Sequence, residues 1–169
     1  RVGHPRSQSS RCLGDARRAE RRVKLDVALS LPQELESVSL IRVVVGDALA
    51  RLGVTADCVD DIRLALSEAC TNVLDHAAAE DEYEVRLQVD DETCEISVAD
   101  TGTHAVDAGA LDGVMPDTGS PSGRGVAIMH AVMDQVAFTS APEAGTIVHL
   151  VKRLDVEVDG PMARLRRSG

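Results

Sequence analysis

The stretch SEACTNVLDHA, residues 67–77, places three polar side chains on one side of a predicted helix. Glu68, Asn72 and His76 recur every four residues, so they follow one stripe that drifts by about 40° per step. A stripe of this kind often does no more than face solvent. The chemical alternative is a site in which Asn72 offers an amide oxygen to a hard cation, Glu68 accepts a proton and His76 meets a phosphate. A site for a metal alone is less suited, because residues eight apart are too distant to share one ion.

Strands and helices are predicted on both sides of this helix from the spacing of apolar residues. Period-two alternation predicts strands, and three- and four-residue spacing predicts helices. The predicted elements are a strand over 23–31, helices over 33–52 and 57–78, strands over 83–89 and 93–99, a helix over 126–134, and strands over 135–141 and 146–154. Gly53 is expected to end the first helix and Asp57 to cap the second. The short links at 90–92 and 142–145 indicate antiparallel hairpins.

This order of elements predicts an α+β fold. The expected architecture is a two-layer α/β sandwich, with a mixed and mainly antiparallel sheet covered on one face by about three helices. The chain has 169 residues, which suits one domain with its own core. Only 1% of the residues are aromatic, so the core must be aliphatic and a base-stacking RNA surface is not expected.

Charge is distributed unevenly along the chain, although the formal net charge is −10. Residues 1–22 contain seven Arg and two acidic residues, and residues 161–169 add three more Arg. Both ends also lack periodic apolar residues, which favours a disordered basic tail over 1–22 and a C-terminal tail over 155–169. The remaining segment, 23–154, is an acidic globule, and this argues against direct nucleic-acid binding.

The cysteines and the hydropathy pattern bear on location. The four cysteines, at positions 12, 58, 70 and 94, include no C-x-x-C pair, and this favours small buried thiols in a reducing cytoplasm. No apolar run approaches the roughly 20 residues that span a bilayer, so no membrane segment is expected.

Two glycine-containing motifs follow the polar helix. Asp100-Thr101-Gly102 ends a predicted strand, where a carboxylate can accept a hydrogen bond from an exocyclic amine; the simpler interpretation is an ordinary strand-ending turn. Gly123-Arg124-Gly125 opens a predicted helix, whose N-terminal amides and dipole favour an anion. The glycine-rich segment 103–122 between them is long enough to be a functional lid.

The order of these motifs resembles the ATP-binding domain of the GHKL superfamily, the Bergerat fold. Glu68, Asn72 and His76 resemble its N box. Asp100 with Gly102 resembles the first glycine box, and Gly123 with Gly125 resembles the second. The resemblance spans about residues 23–154, and it is specific only through the combination of motifs.

Within that superfamily the chain is most similar to the bacterial anti-sigma-factor serine kinases, through SEACTNVLDHA, GRGVAIMHAVMDQV and PEAGTIVHLVKRL. The resemblance implies ATP and Mg²⁺, a sigma factor that is kept from RNA polymerase, phosphorylation of a Ser or Thr on a STAS-type anti-anti-sigma factor, and a homodimer. It implies that Glu68 is the general base and that Asn72 ligates Mg²⁺. The remaining implied roles are adenine binding by Asp100 and Thr146 and phosphate binding by His76, Gly123, Arg124 and Gly125.

One position departs from the family pattern, and two other functions remain open. Many relatives have D-x-G-x-G in the first glycine box, whereas this chain has DTGTH, with His104 at the second glycine position. The first alternative is a module that binds ATP, or has lost ATP binding, and only sequesters a partner. The second is the detached catalytic half of a sensor histidine kinase, against which stands the lack of a helical segment with a phosphoacceptor histidine ahead of the domain.

Overall fold

The elements of the chain alternate as the apolar spacing predicts. A computed structural model describes residues 24–76, 82–100, 123–141 and 145–167. The strands are β1 (Leu25–Pro32), β2 (Glu82–Val89), β3 (Thr93–Asp100), β4 (Gln135–Ala141) and β5 (Gly145–Arg153). The helices are α1 (Leu35–Leu52), α2 (Ala56–His76), α3 (Gly123–Val132) and α4 (Pro161–Arg167). The expected N-terminal tail and the expected lid lie outside the described residues.

The five strands form one sheet in the order β1-β2-β3-β5-β4. Each neighbouring pair is antiparallel, so both predicted hairpins are confirmed and the described sheet contains no parallel pair. The α+β prediction is confirmed, and the expected mixed sheet is antiparallel throughout the described strands. Because β5 lies between β3 and β4, the strand that opens with Gly145 runs beside the strand that ends at Asp100.

One face of the sheet carries the aliphatic core, and helices cover it. Alternate residues of β2 and β3 are buried on this face, as period-two alternation requires. Helix α2 contacts both α1 and α3 as well as the sheet, so it is the central helix of the layer. The buried side chains on the sheet include Tyr83, Val85, Leu87, Val89, Cys94, Ile96, Val98, Val148 and Leu150. The central helix is thus fixed from three sides, which positions the polar stripe.

The helix ends differ slightly from their predicted positions. Gly53 ends α1 in the left-handed conformation, with φ 84°, as predicted. Helix α2 begins at Ala56, so Asp57 lies in its first turn and does not cap it. Helix α3 begins at Gly123, three residues before the predicted start. Glycines disfavour a helix intrinsically, so the sequence predicted a later start, but the packing of the domain keeps these glycines in the first turn.

The C-terminal segment is not the unstructured tail that its basic composition suggested. Thr55 donates a backbone hydrogen bond to the Asp155 carbonyl, and Glu157 donates one to the Gly53 carbonyl. Helix α4 follows, and its Met162 is completely buried. The interpretation was wrong for residues 155–167, because one buried side chain and a few backbone hydrogen bonds are enough to dock a short segment whose other side chains are mostly exposed.

The cysteines that the structure describes are buried and free. Burial raises the pKa of the Cys70 thiol and of the Cys94 thiol to about 12, and it also raises that of Cys58. These thiols are therefore protonated near neutral pH and contribute to packing, as predicted for Cys58 and Cys70. None of the described helices combines the length and the hydropathy of a membrane-spanning segment.

Candidate active site

Glu68 and Asn72 lie on the side of α2 that faces α3, and both are half-buried. Gly125, in the first turn of α3, is buried against them. A Cβ atom built on Gly125 would stand 2.7 Å from Glu68 Oε2 and 3.6 Å from Asn72 Oδ1. The structure thus brings Glu68 and Asn72 into contact with a glycine that follows them by more than 50 positions in the sequence.

The contact at Gly125 shows what a side chain at this position would meet. A carbon within 3.0 Å of a carboxylate oxygen is closer than van der Waals contact allows, so any side chain would move the Glu68 carboxylate. A residue without Cβ also lets the backbone of α3 approach α2 closely. The second glycine of the G-R-G motif therefore determines where the Glu68 carboxylate can lie.

The N-terminal end of α3 suits an anion beside these two side chains. The first helical turn leaves backbone N–H groups without helical partners, and the helix dipole places partial positive charge at this end. The first turn of α3 contains no acidic residue, and Arg124 within it is exposed. A phosphate group at this end would meet amide donors, a guanidinium and the Asn72 amide together.

The other predicted site residues are placed by their backbone alone. Asp100 ends β3, and the pairing of Ala99 with Ile147 sets it next to the opening residues of β5, Gly145 and Thr146. The two predicted adenine-binding positions therefore come from neighbouring strand ends. His76 is the last residue of α2 and Gly123 the first of α3. Gly102 and His104 lie outside the described residues, as do the side chains of His76, Asp100 and Thr146.

Oxygen atoms are the ligands that Mg²⁺ prefers, and the contact at Gly125 provides them. The Asn72 amide oxygen and the Glu68 carboxylate oxygens lie on the same side of Gly125. Among the residues that the structure describes, no group of three or more His, Cys, Asp or Glu could hold a metal ion. The Asn72 amide oxygen nevertheless fits Mg²⁺, because this ion is commonly bound by one or two protein ligands together with phosphate oxygens and water.

An antiparallel sheet with a Glu-Asn helix set against a glycine-started helix defines a nucleotide-binding domain of the GHKL type. The comparisons with known proteins agree, and the chain belongs to the histidine kinase-like ATPase domain family, whose model matches residues 31–152. The match includes the residues that meet at Gly125.

Two relatives place the chain more narrowly within this family. It is 31% identical over 145 residues to the serine-protein kinase RsbW of Bacillus subtilis, covering 78% of this chain and 87% of that protein. It is 33% identical over 127 residues to the anti-sigma F factor of Pasteuria penetrans, covering 70% of this chain and 84% of that protein. One relative is named a serine-protein kinase and the other an anti-sigma factor, in agreement with the resemblance that the motifs carry.

The structural comparison concerns the fold. The crystal structure of the RsbU and RsbW domains of Rv1364c from Mycobacterium tuberculosis matches with a TM-score of 0.59 and 19% identity. The match covers 78% of this chain and 32% of that longer chain. The Bergerat-type fold predicted from the motif order is therefore confirmed by its architecture and by a solved structure.

Proposed function

We propose that this protein is a bacterial anti-sigma factor that binds Mg-ATP and phosphorylates a Ser or Thr of a STAS-type anti-anti-sigma factor. It would hold a sigma factor away from RNA polymerase, and the cytoplasm is its proposed location. The observation that carries the proposal is the meeting of Glu68 and Asn72 at Gly125. The names of the relatives, a serine-protein kinase and an anti-sigma F factor, support it.

Retention of Glu68 favours a kinase over a module that only sequesters a partner. A module that binds ATP and only sequesters a partner needs contacts to the phosphates. Such a module has no need of a carboxylate beside the Asn72 amide. A phosphoryl transfer to a hydroxyl does give one, because the hydroxyl proton must be accepted by a positioned base. The half-buried position of Glu68 keeps its carboxylate next to the N-terminal end of α3.

The chemistry assigned to the chain's own residues is positioning and proton acceptance. The N-terminal amides of α3 and the Arg124 guanidinium would hold the phosphates and offset charge on the transferred group. Glu68 would accept the proton of the acceptor Ser or Thr hydroxyl. The hydroxyl oxygen would bond to the γ-phosphorus while the bond between that phosphorus and ADP breaks. Bound at Asn72, Mg²⁺ would supply further charge neutralisation at the phosphates. Asp100 and Thr146 would bind the adenine, and His76 and Gly123 would lie near the phosphates.

The partner surface and the assembly follow from the same proposal. A sigma factor and a STAS-domain protein are the proposed partners, and a homodimer is the proposed assembly. Neither DNA nor a membrane is a proposed ligand. The expected lid, 103–122, with His104 in the first glycine box, would close over the bound nucleotide.

A pair of variants tests the assignment of roles. Glu68→Gln should retain ATP affinity within about twofold and lose phosphoryl transfer by 10²-fold or more, the usual effect of removing a general base. Asn72→Ala should weaken Mg-ATP binding itself. Equilibrium titration with ATP in the presence of Mg²⁺, followed by transfer of a labelled γ-phosphate to STAS-domain proteins, measures both. Equal transfer by Glu68→Gln and wild type would contradict the role of Glu68, and ATP binding without transfer by the wild type would favour the sequestering module.

A further inference from the structure

Helices α2 and α3 are joined at a second point, far from Gly125 along both helices. Lys152 of β5 donates a hydrogen bond from Nζ to Asp61 Oδ2 on α2, at 2.8 Å. The same Nζ donates to the Val132 carbonyl at the C-terminal end of α3, at 2.5 Å. The Lys152 side chain is only 17% exposed and that of Asp61 is 41% exposed. One ammonium group therefore connects the sheet to both helices that build the site.

The two contact points are equally spaced along the two helices. Asp61 and Glu68 are seven residues apart on α2, and Gly125 and Val132 are seven residues apart on α3. At 1.5 Å per residue each interval is about 10.5 Å. Asp61 also lies on the stripe that Glu68 begins, because seven residues amount to nearly two full turns. The helices therefore run antiparallel, and a shift of α3 at Val132 would displace Gly125 from Glu68 by a similar amount.

The ammonium is charged and well placed at the end of α3. Partial burial by itself lowers the pKa of Lys152, but the hydrogen bond and the charge of Asp61 outweigh it, so the pKa lies above its usual value. A cation at a helix C-terminus interacts favourably with the exposed carbonyls there. Two further hydrogen bonds, between Asp134 and the backbone of Val151 and Arg153, tie the end of α3 to β5. Of these contacts, only that of Lys152 also includes α2.

We propose that Lys152 is a positioning residue of the nucleotide site, holding α3 along α2 so that the N-terminal end of α3 meets Glu68 and Asn72 at the distance that phosphate binding requires. The inference rests on the proposed function, since it assigns the phosphates to that end of α3. It goes beyond the motifs, because Lys152 is in none of them and its ammonium is at the opposite end of α3 from the phosphates.

The test separates phosphate binding from adenine binding. Lys152→Met keeps the aliphatic stem and removes the ammonium, so it should weaken ATP affinity at least fivefold. The same variant should bind adenosine, which has no phosphate, within twofold of wild type. Lys152→Arg retains donors for both oxygens and should return ATP affinity to within twofold of wild type. A role confined to fold stability would lower the unfolding midpoint without changing the ratio of ATP to adenosine affinity in the folded protein.

Arg86→Met is the matched control, because it breaks another partly buried ion pair with an Asp, on the other face of the sheet. Arg86 binds Asp26 through two nitrogens, at 3.0 and 2.9 Å, remote from α2 and α3. The ATP affinity of the Arg86→Met variant should stay within twofold of wild type. If Lys152→Met folds poorly, Asp61→Ala removes only the α2 contact and should still weaken ATP binding relative to adenosine.

The outcomes distinguish the inference from the function on which it rests. A wild-type protein that binds no ATP would contradict the proposed function. A wild type that binds ATP, together with Lys152→Met and Asp61→Ala variants that bind it equally well, would overturn the positioning role alone. Amide exchange measured over residues 127–130, the first amides that donate within α3, adds a direct readout: the proposal requires faster exchange there in Lys152→Met and no change in Arg86→Met.

Discussion

Gly125 is the residue at which two sequence motifs meet, the Glu68 and Asn72 pair of α2 and the G-R-G motif of α3. Its missing side chain leaves the Glu68 carboxylate in place, and the carboxylate is the group that would accept a proton. The spacing of Glu68 and Asn72 predicted that the two share a helix face. Their contact with Gly125 could not be derived from local spacing, because it joins residues more than 50 positions apart and depends on how two helices pack together. The family resemblance supplied the expectation, and the structure supplies the distance.

Gly125→Ala tests this contact at a single atom. The added methyl would stand 2.7 Å from Glu68 Oε2, the flexible end of a side chain, so the fold should tolerate it while the carboxylate moves. We expect phosphoryl transfer to fall at least tenfold and the thermal unfolding midpoint to change by a few degrees at most. Gly46→Ala on α1 is the control, since it inserts a methyl against the Arg63 side chain of α2 and should leave ATP affinity unchanged. Full transfer activity in Gly125→Ala would contradict the role of the contact.

Because of His149, we expect the free energy of unfolding to depend on pH. It is half-buried on β5, where burial lowers its pKa and the charge of Glu95 partly opposes this. A lowered folded-state pKa means that the unfolded chain takes up the proton first as pH falls. The stabilisation is therefore present above the unfolded pKa, about 6.5, and is lost as pH falls through the lower folded pKa.

The measurement is the urea midpoint of wild type and His149→Gln between pH 8 and pH 5. The midpoint of the wild type should fall more steeply than that of the variant below about pH 6.5. Parallel curves over this range would show that His149 contributes nothing to the pH dependence. The sequence alone gave no sign of this residue, because partial burial on the open face of a sheet depends on neighbouring strands.

At the scale of elements, helices and strands were predictable and the C-terminal segment was not. Period-two alternation placed the five described strands to within about two residues, because half-buried strands impose that alternation on their sequence. The segment after β5 has no such period. Its order comes from the close approach of Gly160 to Gly53 and from one buried side chain, Met162. A segment that is held by tertiary contacts of this kind needs few apolar residues, so its sequence has no local pattern from which its order can be predicted.

Met162→Ala measures what that docking contributes. The side chain is completely buried, and removing a buried Met commonly lowers the free energy of unfolding by roughly 2–5 kcal/mol. Leu165→Ala on the same short helix is the control, because Leu165 is 43% exposed and its truncation should cost less than about 1 kcal/mol. Urea unfolding compares the two variants. Equal, small losses would mean that α4 adds little to the stability of the domain.

For the whole molecule, composition excluded several functions but identified none. A net charge of −10 and 1% aromatic residues argued against nucleic-acid binding, and the motif order then indicated a nucleotide site inside the acidic globule. The order of the motifs was informative because a Bergerat-type sheet requires them in that sequence along the chain. The charge average could not reveal this, since nucleotide binding depends on a few oriented groups such as Asn72 and the first turn of α3.

The most direct test of the central claim is transfer of the γ-phosphate from labelled ATP. The full chain is incubated with ATP, Mg²⁺ and STAS-domain proteins from the same genome, and the labelled residue is mapped. The account predicts label on a Ser or Thr of one such protein, with no label when Glu68→Gln replaces the wild type. Failure of the folded chain to bind any adenine nucleotide would contradict it.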